Sequence, residues 1–218
     1  MSPEEFLIQN ATNIDISRKN DSAMIKSRSG EVRVSKNLTN PYVITVNVHN
    51  GLDYETMYPK LATMLVNSTG YKTNFRIGNT SGSAYLTSYQ GDLTSAEIAN
   101  ITINSTLGNK IWIDTTSTTG SGNIFKTGDY IQPKGNTLTY QHPYTVTSDV
   151  AWASGNVEVP VHRGIINQPN VSLATSGVAV GNNVFFAVKH KDLLSYTLTP
   201  NEKIEFKEFT FIESIQSI

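Results

Sequence analysis

The chain has 218 residues, 17 Lys and Arg against 18 Asp and Glu, and a formal net charge of -1. Its polarity comes from 21 Ser, 25 Thr and 21 Asn, because charged residues make up only 16%. Without a basic surplus it is not equipped to neutralise nucleic-acid phosphates. With 38% hydrophobic residues and almost no net charge it lacks the signature of a disordered chain. Cysteine is absent, which excludes a disulfide framework, a thiolate nucleophile and Cys-ligated zinc. The longest apolar run is a handful of residues, too short for a membrane-spanning helix.

Met1 to Glu5 has neither the basic nor the apolar segment of a secretory signal, so synthesis and folding are expected in a cytoplasm. Ser2, Pro3 and Glu5 form a capping box with proline at the first helical position. The spacing predicts a short helix ending near Ala11. Strands are predicted over Glu31–Ser35 and Tyr42–His49. In the second, Tyr42, Ile44, Val46 and Val48 share one face and Thr45, Asn47 and His49 the other. Between Gly51 and Gly70, Leu52, Tyr58, Leu61, Met64 and Leu65 predict a helix, with Pro59 in its first turn and Gly70 as its stop. Lys72 to Ile77 follows, then a loop from Gly78 to Ser83.

The second half reads as β throughout. Strands are expected over 97–104, 110–114, 129–132, 144–149, 157–162 and 184–190, with a long last strand over 204–215. From Asp114 to Asn123 runs a polar loop too poor in apolar side chains to be packed. Around Phe125, Gly128-Asp129 turns the chain into a short strand through Tyr130 and Gln132, and Gly135-Asn136 turns it out. Another strand runs from Tyr144 to Asp149, and a Gly155-Asn156 turn leads to the next. Three short strands on tight turns suit a small closed or nearly closed barrel. The fold class is therefore mainly β: a sheet with one helix over residues 1–92, completed by a terminal strand over 202–218, and a small β-barrel or sandwich over 93–201.

The order Phe125-Lys126-x-Gly128-Asp129-Tyr130-Ile131-Gln132, Tyr144-x-Val146-Thr147-x-Asp149-Val150 and Val157-x-Val159-Pro160-Val161-His162-Arg163 resembles a module of tail and baseplate proteins of tailed bacteriophages. The segment from Lys26 to Val32, the strand 42–48 and the helix after it resemble the module that precedes it there. Tyr196 to Pro200 and the aromatic strand from Phe206 to Phe211 fit the same order. The resemblance spans about residues 23 to 212, and its motifs are motifs of fold without catalytic content. It implies a virion subunit near the tail tip, assembled in the host cytoplasm, with other tail or baseplate proteins and copies of itself in a ring as partners.

Candidate chemistry is sparse. His49, His142, His162 and His190 lack the spacing of a metal motif, and Glu4-Glu5 and Glu205/Glu208 are close acidic pairs without a catalytic pattern. Eight Asn-x-Ser/Thr sequons occur, a modest excess over the four to five that composition gives by chance. No cofactor and no catalytic or metal site is expected. Candidate interface residues are Trp112, Thr115, Thr116, Thr118, Thr119 and Trp152, on or beside the polar loop and its flanking strands. A uniform, weakly charged Ser/Thr/Asn surface lets identical copies meet with little like-charge repulsion. An alternative reading is a receptor- or glycan-binding β module at the tail tip, which needs exposed aromatics. A third is a cell-wall hydrolase, which needs converging carboxylates or a His-based metal site.

Overall fold

In a computed structural model of the chain, the described residues are 3–18, 22–26, 32–36, 40–49, 51–66, 72–77, 88–135, 142–167, 172–190, 195–206 and 208–215. The Ser2 cap, the Gly70 stop, the 78–83 loop and Asn136 lie outside them. In chain order the elements are α1 (Pro3–Gln9), β1 (Ala11–Arg18), β2 (Ser22–Lys26), β3 (Val32–Lys36), β4 (Tyr42–Val48), β5 (Leu52–Asp53), α2 (Tyr54–Val66) and β6 (Lys72–Phe75). Next are α3 (Ser95–Ala99), β7 (Thr102–Leu107), β8 (Lys110–Asp114), β9 (Asn123–Phe125), β10 (Tyr130–Pro133), β11 (Tyr144–Thr145), β12 (Val150–Ala151) and β13 (Asn156–Pro160). The last are β14 (Val178–Val180), β15 (Phe186–His190), β16 (Tyr196–Thr199), β17 (Lys203–Phe206) and β18 (Phe209–Glu213). The fold is mainly β. The chain forms two compact units, one from Met1–Phe75 with Ala187–Ile215, the other from Arg76–Phe186.

The first unit is organised by a five-stranded sheet in the order β1-β4-β18-β15-β6. The alternation along β4 is realised as expected: Tyr42, Ile44, Val46 and Val48 are buried and the residues between them only half-buried. Burying a large apolar side chain stabilises by about 1.5–3 kcal/mol, so this face holds β4 in register. β1 pairs along all of β4, from Ala11 opposite Val48 to Arg18 opposite Tyr42. The alternating Ile14 and Ile16 were its only mark in the sequence. Met57, Leu61 and Met64 of α2 are buried, and the Lys60 ammonium sits 4.6 Å from the Phe6 ring of α1.

Four expectations in this unit are corrected. Leu52 belongs to β5, opposite Ile204, and not to the helix. Pro59 is the sixth residue of α2, beyond the first turn, where its missing N–H deprives one carbonyl, on the exposed residue Glu55, of its helical bond. The long terminal strand is two strands in two sheets: β17 pairs with β16 and β5, whereas β18 pairs with β4 and β15. The reason is a change of phase. Ile204 is buried on an even position, then Phe209, Phe211 and Glu213 on odd ones, and a continuous strand cannot turn both sets to one face. β18 does join the first sheet, as expected. β15, which the sequence placed in the barrel half, joins it too.

The second unit contains the sheets β11-β10-β14 and β13-β8-β7, with β9 and β12 paired beside them. Two isolated bridges link the three-stranded sheets: Val146 with Val161, and Thr102 with Gly177. The pairing path thus returns on itself through β14, β10, β11, β13, β8 and β7. Inside lie Ile103, Ile111, Ile113, Ile131, Tyr144, Val159 and Val161, each at most 1% exposed. The expected strand over 97–104 is corrected: residues 95–99 form α3, and β7 starts at Thr102. Thr94 and Glu97 make a full capping box, the Thr94 hydroxyl accepting from Glu97 N (3.3 Å) and the Glu97 carboxylate from Thr94 N (2.6 Å). That signal was present in the sequence as Thr-x-x-Glu.

Candidate functional site

The motif residues of the second unit meet around one turn. Lys126-Thr127-Gly128-Asp129 reverses the chain, with Gly128 at φ 98°, a region where glycine avoids the Cβ clash. All four backbone N–H groups of this turn are used. Lys126 N donates to Asp129 Oδ2 (2.9 Å), Thr127 N to Asp149 Oδ1 (2.8 Å), Gly128 N to Val146 O (2.9 Å) and Asp129 N to Lys126 O (3.0 Å). Asp129, only 2% exposed, also accepts from Gln90 N at 2.7 Å. Burial pushes its carboxyl above the ordinary range, outweighing the N–H bonds that favour its charged form. Beside it Asp92 accepts from Asn123 N (2.8 Å) and Lys126 Nζ (2.9 Å).

The remaining motif residues are structural in the same sense. Phe125 is fully buried, edge-on to Tyr89. Burial pushes the Tyr89 phenol up to about 12, and its hydroxyl donates to Ile124 O. Tyr130 meets Phe186 edge-on with centroids 5.7 Å apart. The buried Tyr144 hydroxyl accepts from Ile166 N (2.8 Å). Gln132 is 2% exposed, and its amide spans the backbone of Phe185, donating to its O (2.9 Å) and accepting from its N (2.8 Å). Gly135 has a positive φ of 71°.

The polar loop is packed, contrary to expectation. Thr115 is 0% and Thr118 6% exposed. The Thr115 hydroxyl reaches Ala153 O (2.5 Å) and Gly155 O (3.0 Å), and its N–H also donates to Gly155 O. Those two side chains are turned into the unit; Thr116 and Thr119 remain exposed. Trp152 is half-buried against the core of the second unit. Trp112 is half-buried in β8, out of phase with the buried Ile111 and Ile113. A Cβ placed on Gly120 would stand 2.6 Å from Trp152 Cδ1 and 2.6 Å from Leu93 Cδ2, so the loop backbone lies against the indole. We expect Gly120→Ala to cost about 1–3 kcal/mol through overpacking and to shift Trp152 emission in a Trp112→Phe background. Urea unfolding with an unchanged midpoint would contradict this packing.

Four carboxylates of the second unit share one electrostatic character. Backbone and hydroxyl donors hold Asp149, Asp114 and Glu97 below the ordinary carboxylate range: Thr127, Thr116 and Thr94 respectively. The Asn123 N–H and then Lys126 do the same for Asp92. A carboxyl depressed in the folded state stabilises above its unfolded value, about 4, and that contribution is lost as pH falls through the folded value. The thermal midpoint is therefore expected to drop on acidification below about pH 4. A calorimetric midpoint that stays level from neutral pH into that range would refute it.

One open cleft of about 490 Å³ lies in the second unit, lined by Arg76, Gln132, Pro133, Lys134, Ala179, Asn183 and Phe185. Sequence reasoning singled out only Gln132 of this set; Pro133 and Lys134 follow it directly, whereas Arg76 and residues 179–185 come from segments more than 40 residues away. Among the described residues no three His, Asp or Glu side chains gather as metal ligands would.

No protein-family model and no curated protein matches the chain. The functional reading therefore rests on residues and geometry. In the motif these assemble turns, with each carboxylate committed to backbone amides.

Proposed function

We propose that the chain is a structural subunit of a bacteriophage tail or baseplate, placed near the tail tip and assembling by protein–protein contacts with copies of itself and with other tail proteins. The observation that carries this reading is the use of the motif's acidic groups. Asp129 and Asp149 both accept from backbone N–H groups, so the motif that resembles phage tail modules is spent on fixing turns. Outward contacts have apolar anchors: Leu107 at the β7–β8 hairpin is 74% exposed, and Tyr196 and Leu198 on the edge strand β16 are 38% and 54% exposed. Residues of this kind supply the apolar centre of an interface with a polar rim.

Electron microscopy of the particle that carries the chain, decorated with an antibody against it, tests the proposal. Label in a ring around the tail axis near its tip is the expected result. Particles that bind no antibody while the chain stays in the unassembled fraction would overturn it.

The glycan-binding alternative draws on a different observation. Tyr54 and Tyr58 stack at 4.9 Å, and Tyr196 lies 6.2–6.5 Å from both. A glycan array separates the readings, because binding that is lost on Tyr196→Ala favours the sugar module.

A further inference from the structure

The 490 Å³ cleft of the second unit has two cations, Arg76 and Lys134, and no carboxylate in its lining. Its volume falls within the range usual for small-ligand sites, about 300–1,000 Å³. The Arg76 guanidinium is seated 4.2 Å from the Phe185 ring centroid. Phe185 is itself fixed, because the buried Gln132 amide grips its backbone on both sides. The Arg76 Nε is buried and finds no acceptor among the described residues. Lys134 is exposed, and its backbone is anchored by donation to Gly177 O (3.0 Å). Its stem lies along Gly177, where an added Cβ would come within 3.6 Å of Lys134 Cδ. Asn183 contributes an exposed amide able to donate and to accept.

We propose that this cleft binds an oxyanion, a carboxylate or phosphate group, between Arg76 and Lys134. A planar guanidinium already held by an aromatic ring loses little freedom when it engages such a group, and its fork matches both anions. Lys134 adds a second positive charge on a chain that can swing to meet the ligand. Asn183 is placed to take a hydroxyl from whatever carries the anion. The site is separate from the turn network around Asp129 and does not depend on a role in a virion.

Amide chemical shifts of the intact chain, titrated at constant ionic strength with sodium phosphate, glucuronate and neutral glucose, test the assignment. The expected result is saturable shifts at Lys134, Gly177 and Asn183 with phosphate or glucuronate and none with glucose. Tighter binding of glucuronate identifies a sugar-borne carboxylate as the source of the anion; tighter binding of phosphate identifies a phosphate. Lys134→Gln, at an exposed position, is expected to weaken binding about tenfold with the rest of the spectrum unchanged. Arg76→Lys is expected to weaken it too, through loss of the fork. No saturable response to either anion, an equal response to glucose, or full affinity in Lys134→Gln would overturn the proposal.

Discussion

Phe211→Ala is expected to destabilise the first unit by about 3–5 kcal/mol, the usual cost of emptying a buried aromatic site. Phe211 is fully buried on the middle strand of the five-stranded sheet. Its ring lies 5.1 Å from Phe75 and meets His190 edge-on at 5.2 Å, and both contacts vanish with the ring. Phe211→Leu fills most of the volume and should cost less than half as much. Urea unfolding followed by far-UV circular dichroism is the readout, because both tryptophans, Trp112 and Trp152, belong to the other unit. An alanine variant that unfolds within about 1 kcal/mol of the parent would show that this aromatic cluster is not the centre of the sheet's packing.

Asp129→Ala is the second large effect, expected at about 3 kcal/mol. It removes the acceptor of Gln90 N–H and Lys126 N–H together, and a donor left without a partner in a buried site costs about 1–3 kcal/mol. Asp129→Asn retains one acceptor oxygen and should fall between parent and alanine. Its pH behaviour runs opposite to that of Asp92, Glu97, Asp114 and Asp149. Because burial raises the Asp129 carboxyl in the folded state, its contribution is complete below the ordinary carboxylate value and is lost as pH rises through the raised one. The asparagine variant lacks that loss. Chemical denaturation of parent and variant across weakly acidic pH decides the matter: parallel stability curves would mean that the buried carboxyl titrates as it does in the unfolded chain.

The sequence displayed what is local and hid what is not. β4 could be read directly, because a single period ran through it; of the buried face of α2, Leu61 and Met64 were read and Met57 was missed. The break between β17 and β18 was also visible, as a slip of the alternation from Ile204 to Phe209, but the shared aromatic character of the segment obscured it. α3 was hidden by the apolar Ile98 and Ile101, although Thr94 and Glu97 spelled out its cap. The turn at Gly128-Asp129 was legible from its residue types. Its partners were not, since Asp149 is 22 residues from Thr127 and Gln90 is 39 from Asp129. The burial of Thr115 has the same origin: the carbonyls that accept its hydroxyl are 38 and 40 residues away. A threonine-rich loop advertises solubility in its composition, and only distant backbone acceptors reveal that two of its members face inward. The Arg76 and Lys134 cleft is assembled in space alone and left no pattern to find.

The position of β18 has a consequence for how the molecule is made. The chain leaves the first unit after β6 and returns to it at β15, neighbouring strands of one sheet. Everything from Arg76 to Phe186 is synthesised before the strand that occupies the middle of that sheet. The later unit in the sequence is therefore complete first, and the earlier one waits for β18 with one edge of β4 unpaired. A stop codon at Phe209 would leave both units' other strands intact and delete the middle strand of the first unit's sheet.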